Sequence, residues 1–275
     1  WKNFENYPYL IKNFEISYSY SANLFFQSLN LKLNNESTSF LGLAPIFSDT
    51  TKSGKTLATN FIPSKRSIFD STKVKRDVIV NGYQLSELPG TESEVKNIYN
   101  LFEKNGKSAE IKLHQAASET FVKNTNLKKY RYLHFATHGL VNSEKPELSC
   151  ILLSADSANQ QDGILLANEI YGLEMNAELV VLSACQTGLG KFKRGEGLVG
   201  LTRALMYAGT INVLVSLWEV DDASTSQLMS NFYEKIFLDS KKPLNKNLRE
   251  VKLKMISEKT YAAPFFWSPF IFVGK

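Results

Sequence analysis

Leu179-Val180-Val181-Leu182-Ser183-Ala184-Cys185 is an apolar run the length of one buried strand, and glycine-bearing sequence, Gly188-Leu189-Gly190, follows it closely. Upstream, Tyr132-Leu133-His134-Phe135-Ala136-Thr137-His138-Gly139 has the same form and ends on a histidine and a glycine. If the two strands are parallel neighbours, Cys185 and His138 reach one crevice beyond the carboxyl ends of the sheet, where open α/β folds place their sites. A thiol within hydrogen-bond reach of an imidazole is an activated nucleophile. The pair therefore points to a cysteine peptidase, and the reading depends on those two strands being adjacent.

Working outward, strands alternate with helices from Asp77 on. Val78 to Val80 reads as a strand. Thr91 and Glu94 form a capping box opening a helix whose stripe is Val95, Ile98, Leu101 and Phe102, ending near Gly106. Strands are expected over 109–113, 131–137, 150–154, 178–184, 211–217 and 269–273. Helices are expected over 118–126, 166–171, 197–207, 224–237 and 244–256. This alternation argues for a mostly parallel central sheet covered by helices on both faces. We divide the chain into 1–76, an N-terminal variable part with an exposed Ser/Thr/Lys-rich loop over about 48–76, and 77–275, the catalytic core.

The bulk composition narrows the function. The chain has 275 residues and a hydrophobic fraction of 43%, enough for a full α/β core. No apolar run approaches the ~20 residues of a membrane span, so no membrane association is expected. The net charge of +5 gathers in stretches that read as solvated surface, without aromatics interleaved along one face, so nucleic acid is not an expected partner. Two cysteines, Cys150 and Cys185, make no disulfide framework, and a reducing cytoplasm is the simpler reading. The chain begins at Trp1, as an excised piece of a longer protein would.

The candidate residues each carry a plainer alternative. Cys185 could be a small buried hydrophobe, but it falls at a strand end, glycines follow, and His138 occupies the matching place on the other strand. The N–H groups of Gly139 and Cys185 could hold an oxyanion. His134, four residues before His138, is expected on the same strand face. A His-x-x-x-His zinc site of the metalloprotease kind needs Glu after its first His, where Phe135 stands, so no metal is expected and His134 reads as a core residue. Cys150 reads as core, and His114 carries no signal. The stretch Gly188 to Gly197 lacks the Lys-Ser/Thr of a phosphate loop and carries Glu196, so it reads as a flexible active-site loop tipped by Lys191, Lys193 and Arg194. After the strand ending near Trp218 come Asp221 and Asp222. Either caps the next helix, or a carboxylate there lines a pocket for a basic side chain.

Taken together, Leu133 to Gly139, Val181 to Gly188, Gly195-Glu196-Gly197 with Leu201, Ser216 to Asp222, and Pro264 to Phe270 with Gly274 resemble the motifs of CHAT-type peptidases, over roughly Leu88 to Gly274. That resemblance implies a caspase-like α/β sandwich, a dyad of His138 and Cys185, no metal and no cofactor. It also implies a separase-like role for Asp222 in holding a basic P1 residue. CHAT domains usually follow helical repeats in bacterial signalling or defence proteins, so the implied partners are a protein substrate and an upstream repeat region or regulator. The alternative within the family is a catalytically silent interaction module.

Overall fold

The apolar runs become strands and the amphipathic runs become helices. In a computed structural model of the chain, the residues described are 3–30, 39–45, 78–80, 83–85, 88, 90–142, 145–186, 196–218 and 220–275; for 24, 27, 28, 30, 78–80, 83–85, 184–186 and 196–199 this is the backbone alone. The expected exposed loop at 48–76 lies outside them. In chain order the elements are α1 (Ala22–Asn30), β1 (Phe40–Ala44), β2 (Val78–Val80), β3 (Tyr83–Leu85), α2 (Gly90–Lys104), β4 (Ala109–Leu113), α3 (Glu119–Asn124), β5 (Tyr132–Leu140), β6 (Cys150–Leu152), β7 (Ile164–Leu166), α4 (Ala167–Ile170), β8 (Ala177–Gln186), α5 (Glu196–Tyr207), β9 (Thr210–Ser216), α6 (Asp222–Leu238), α7 (Leu244–Ser257), α8 (Pro264–Trp267) and β10 (Phe270–Val273).

Strands β4, β1, β5, β8 and β9 lie side by side and parallel, and β10 closes the β9 edge antiparallel. Beyond the end of β1, β6 pairs antiparallel with the last residues of β5, and β7 pairs with β6. Helices cover both faces. On one, Val122 of α3, Ile170 of α4 and Leu201 and Leu205 of α5 pack on Leu133, Phe135, Leu182 and Val215. On the other, Ile98 and Phe102 of α2, Phe232 of α6 and Leu248 of α7 pack on Phe40, Tyr132, Val181 and Leu214. The chain is thus the mostly parallel α/β sandwich expected from its alternating pattern. Among the described residues, no helix is long and apolar enough to cross a membrane.

Three local readings need correction. Val78–Val80 is a strand, but among the described residues it pairs with Tyr83–Leu85 in a separate two-stranded sheet and not with the central one. The front segment instead supplies β1, wholly buried between β5 and β4. The capping box at α2 does not form: Thr91 Oγ1 donates back to the Leu88 carbonyl at 2.7 Å, and Glu94 turns inward to His134. Finally, β5 and β8 run past their expected ends to Leu140 and Gln186, so His138, Gly139 and Cys185 lie within strands.

Gly42 explains how α2 sits so close to β1. A Cβ there would stand 2.6 Å from Val95 Cγ1 and 2.9 Å from the Phe40 ring. Crowding a packed interior by one methyl typically costs about 1–3 kcal/mol. Gly42→Ala is therefore expected to lower the unfolding free energy by that much, read as a lower urea midpoint at unchanged m, and an unchanged midpoint would mean that α2 does not rest on β1 at this point.

Candidate active site

The register of β5 against β8 sets the geometry. Tyr132 to Phe135 pair in step with Leu179 to Leu182. The step then changes: His138 pairs with Ala184, Gly139 with Cys185 and Leu140 with Gln186. Strand β5 thus carries one extra residue between Phe135 and His138, a β-bulge. Adjacent strands are about 4.8 Å apart and rise about 3.3 Å per residue, so the Cα atoms of His138 and Cys185, one step out of register, stand roughly 6 Å apart. The two runs whose adjacency the sequence reading required are neighbours, parallel, with their carboxyl ends together.

The bulge overturns one expectation. Paired residues of parallel strands share a face, and side chains alternate along a strand. His134 pairs with Val181 and His138 with Ala184, an odd number of residues apart, so the two imidazoles face opposite sides of the sheet. His138 is fully buried. Gly139 lies between β8 on one side and Ile151 of β6 on the other. Of the glycine-rich stretch after Cys185, only Glu196 and Gly197, at the start of α5, fall within the described residues.

His134 is a core residue with two polar partners. Its Nε2 is 2.7 Å from Glu94 Oε1 and its Nδ1 is 3.3 Å from the Tyr233 hydroxyl, and all three residues are buried. With Nε2–H donating to the carboxylate, Nδ1 accepts from the phenol. Burial raises the Tyr233 pKa well above its ordinary value, with the neighbouring Tyr132 and Glu94 adding to the effect, so the phenol keeps its proton. The network joins β5 to α2 and α6. Sequence reasoning missed Glu94 and Tyr233, because Glu94 had a local use as a capping residue and Tyr233 lies on a stripe that reads as helix core.

The two aspartates after β9 separate into different roles. Asp221 caps α6, its Oδ1 accepting from the Ser224 N–H at 3.0 Å. Asp222, the first residue of the helix, reaches across to α2, where its Oδ2 accepts from the Gly90 N–H at 2.9 Å. A carboxylate at a helix N-terminus is favoured by the helix dipole as well as by the hydrogen bond. Only glycine fits at 90, since a Cβ there would lie 2.4 Å from Asp222 Cβ. Gly90 was also not foreseen, because its partner lies 132 residues away. Cys150 is a buried free thiol in β6, its pKa pushed up to about 12 by burial. Exposed His114 stands 3.6 Å from Glu92.

Removing one member of a buried polar pair strands the other and costs about 3–5 kcal/mol, whereas replacing both by apolar groups costs far less. Glu94→Ala is expected to lower the unfolding free energy by about 3 kcal/mol. The double change Glu94→Leu with His134→Leu should cost less than that single one. Equal costs in denaturant titrations would mean that the pair carries no coupling.

Comparison with known proteins agrees with this architecture. The chain is 33% identical over 112 residues to tetratricopeptide repeat protein 28 of Mus musculus, covering 41% of this chain and 4% of that protein. It is 30% identical over 123 residues to the Homo sapiens protein of the same name, covering 44% of this chain and 5% of the other. The chain thus matches only a small part of these relatives' length. Among solved structures it resembles a chain of the Saccharomyces cerevisiae separase–securin complex, with a TM-score of 0.53 and 14% identity, over 99% of this chain and 15% of that one. At that identity the likeness concerns the fold. The model of the CHAT domain matches residues 4–275, nearly the whole chain, and the chain belongs to the CHAT domain family.

Proposed function

We propose that the chain is a cysteine endopeptidase whose dyad is His138 and Cys185. The observation that carries this reading is that the strands bearing His138 and Cys185 are adjacent and parallel with their carboxyl ends together, at the end of the sheet where α/β sites form. His138 pairs with Ala184, so it and Cys185 fall on alternate faces in this register, and the dyad needs the end of β5 to shift by one residue. In this mechanism His138 takes the thiol proton, and the thiolate sulfur attacks the scissile carbonyl carbon. The N–H groups of Gly139 and Cys185 stabilise the oxyanion, each such donor contributing about 3 kcal/mol. The C–N bond breaks as His138 returns the proton to the leaving amine. Water activated by the same imidazole then hydrolyses the thioester, releasing the acid and restoring the thiol. Gly139 is paired on both sides, with β6 and β8, in this form, so the end of β5 has to open before its N–H meets substrate.

Asp222 supplies the negative charge for a basic P1 residue. Its hydrogen bond from Gly90 leaves room for this, because a carboxylate accepts about four hydrogen bonds through its two oxygens. The substrate is a protein. The relatives named for tetratricopeptide repeats support a repeat region or regulatory partner that controls access to the site. A reducing cytoplasm suits a mechanism that needs a free thiol. A second reading, a silent interaction module of the same family, is favoured by the complete burial of His138.

Intact-mass labelling separates the two. Peptide acyloxymethyl ketones with Arg, Lys, Asp, Asn or Leu at P1 are offered to the native chain and to Cys185→Ala. One adduct on the native chain, absent from the variant, is expected, with Arg and Lys probes reacting fastest. Asp222→Asn should slow those two about tenfold, the worth of one hydrogen bond to a charged group, and leave the Leu probe unchanged. Equal labelling of Cys185→Ala would remove the dyad. No labelling of the native chain by any probe would favour the silent module.

A further inference from the structure

A pocket of about 250 Å³ lies at the β10 edge of the sheet, beneath the N-terminal segment. That segment is tied down at two places. Tyr18 bridges to β10, its N–H donating to the Phe272 carbonyl and its carbonyl accepting from Gly274 N–H. Arg249 of α7 holds the other end through its Nε, which donates to the Ile11 carbonyl, and its Nη2, which donates to the Lys12 carbonyl. The space left between segment, α7 and β10 is at the lower edge of small-ligand cavities, which run roughly 300–1,000 Å³.

Its lining is mainly apolar, and includes Leu248, Trp267 and Phe272. The charged residues in it are both cationic, Arg249 and Lys252, and no carboxylate lines it. Lys252 is the informative one. It is only 7% exposed and its Nζ donates to the Phe270 carbonyl. Among the described residues no carboxylate pairs with it. A buried ammonium satisfied by one neutral carbonyl is far from compensated, since it has three donors and has lost its water. Burial alone draws its pKa down to about 7. Arg249 spends two of its five N–H donors on the segment's carbonyls. Asn245, also in the lining, has a buried side-chain oxygen that finds no hydrogen bond among the described residues.

We propose that this pocket binds a small apolar carboxylate, its acid group paired with Lys252 Nζ and its hydrocarbon lying on Leu248, Trp267 and Phe272. The anion supplies the charge that Lys252 lacks, and the carbon chain fills the apolar remainder. A neutral ligand of the same shape would leave the ammonium uncompensated. A larger polyanion would meet the apolar walls. The site is independent of Cys185 and His138 and stands or falls apart from the proposed catalysis.

The probes are octanoate and its neutral counterpart octanamide, each titrated calorimetrically into the whole chain at pH 6.5. Octanoate is expected to bind at least tenfold more tightly than octanamide. Lys252→Met keeps the volume and removes the buried charge, so its Tm should equal or exceed the parent's while the tenfold preference disappears. On the unaltered protein the preference should also fall as pH rises from 6 to 9, because the amine loses its proton across that range. The other ionisable side chains lining the pocket are Arg249, Tyr9 and Tyr18, with no histidine or carboxylate among them. Equal binding of the two probes, no binding of octanoate, or a preference that survives in Lys252→Met would overturn the proposal.

Discussion

The single extra residue in β5 decides what the two histidines of this strand can do. Side chains on a strand alternate with a period of two, so one inserted residue moves everything beyond it to the other face. Before the bulge, His134 turns toward α2 and α6 and meets Glu94 and Tyr233. After it, His138 pairs with Ala184 and faces the opposite side, which is also the face alternate to the Cys185 position. The bulge falls where β5 changes its neighbour: β1 pairs with it through Phe135, and β6 takes over from Gly139. A change of partner is a natural place for a ladder irregularity, because neither neighbour holds the strand in step across the gap.

Helices α2 and α6 are joined by two polar ties along the same face. One is buried, Glu94 to His134 to Tyr233; the other is at the helix ends, Asp222 to Gly90. Apolar packing between Ile98, Phe102 and Phe232 supplies the bulk of the attraction but is tolerant of small slides. Directed hydrogen bonds to charged groups are not, since each is lost within a fraction of an ångström to an ångström of displacement. The ties therefore fix where the start of α6 lies relative to the carboxyl ends of β8 and β9, and so where Asp222 sits. Asp221 contributes by taking the helix cap, which leaves its neighbour's carboxylate to cross to α2.

The parts legible in the sequence are those that depend on local pattern. The runs at 178–184 and 211–217 read as buried strands because they are almost wholly apolar or small, 109–113 reads as a half-buried strand from its alternation, and α7 reads as a helix from its spacing. The adjacency of β5 and β8 was legible as well, because two similar runs ended on complementary chemistry. What local pattern could not supply was pairing at long range. Phe40 to Ala44 is an apolar stretch with a central glycine, and nothing local in it announces a place at the middle of the sheet; Gly42 makes sense only once Val95 is seen above it. Glu94 fits the spacing of a local rule, the capping box, but meets a distant partner, His134, instead. The register shift has no sequence signature, since Ala136-Thr137 would suit a regular strand equally well.

The burial of His138 bears directly on how the proposed dyad would run. An imidazole shut away from water is disfavoured in its charged form, yet proton transfer from the thiol creates an imidazolium beside a thiolate. His138 itself is fully buried, and the described surroundings of β5, β6 and β8 are mainly apolar. Substrate binding changes the balance, because the peptide brings its own dipoles and the oxyanion places a negative charge near the imidazolium. For the proposed dyad, the pairing of Gly139 with Ile151 of β6 is then the contact that has to open before a peptide reaches this end of β5.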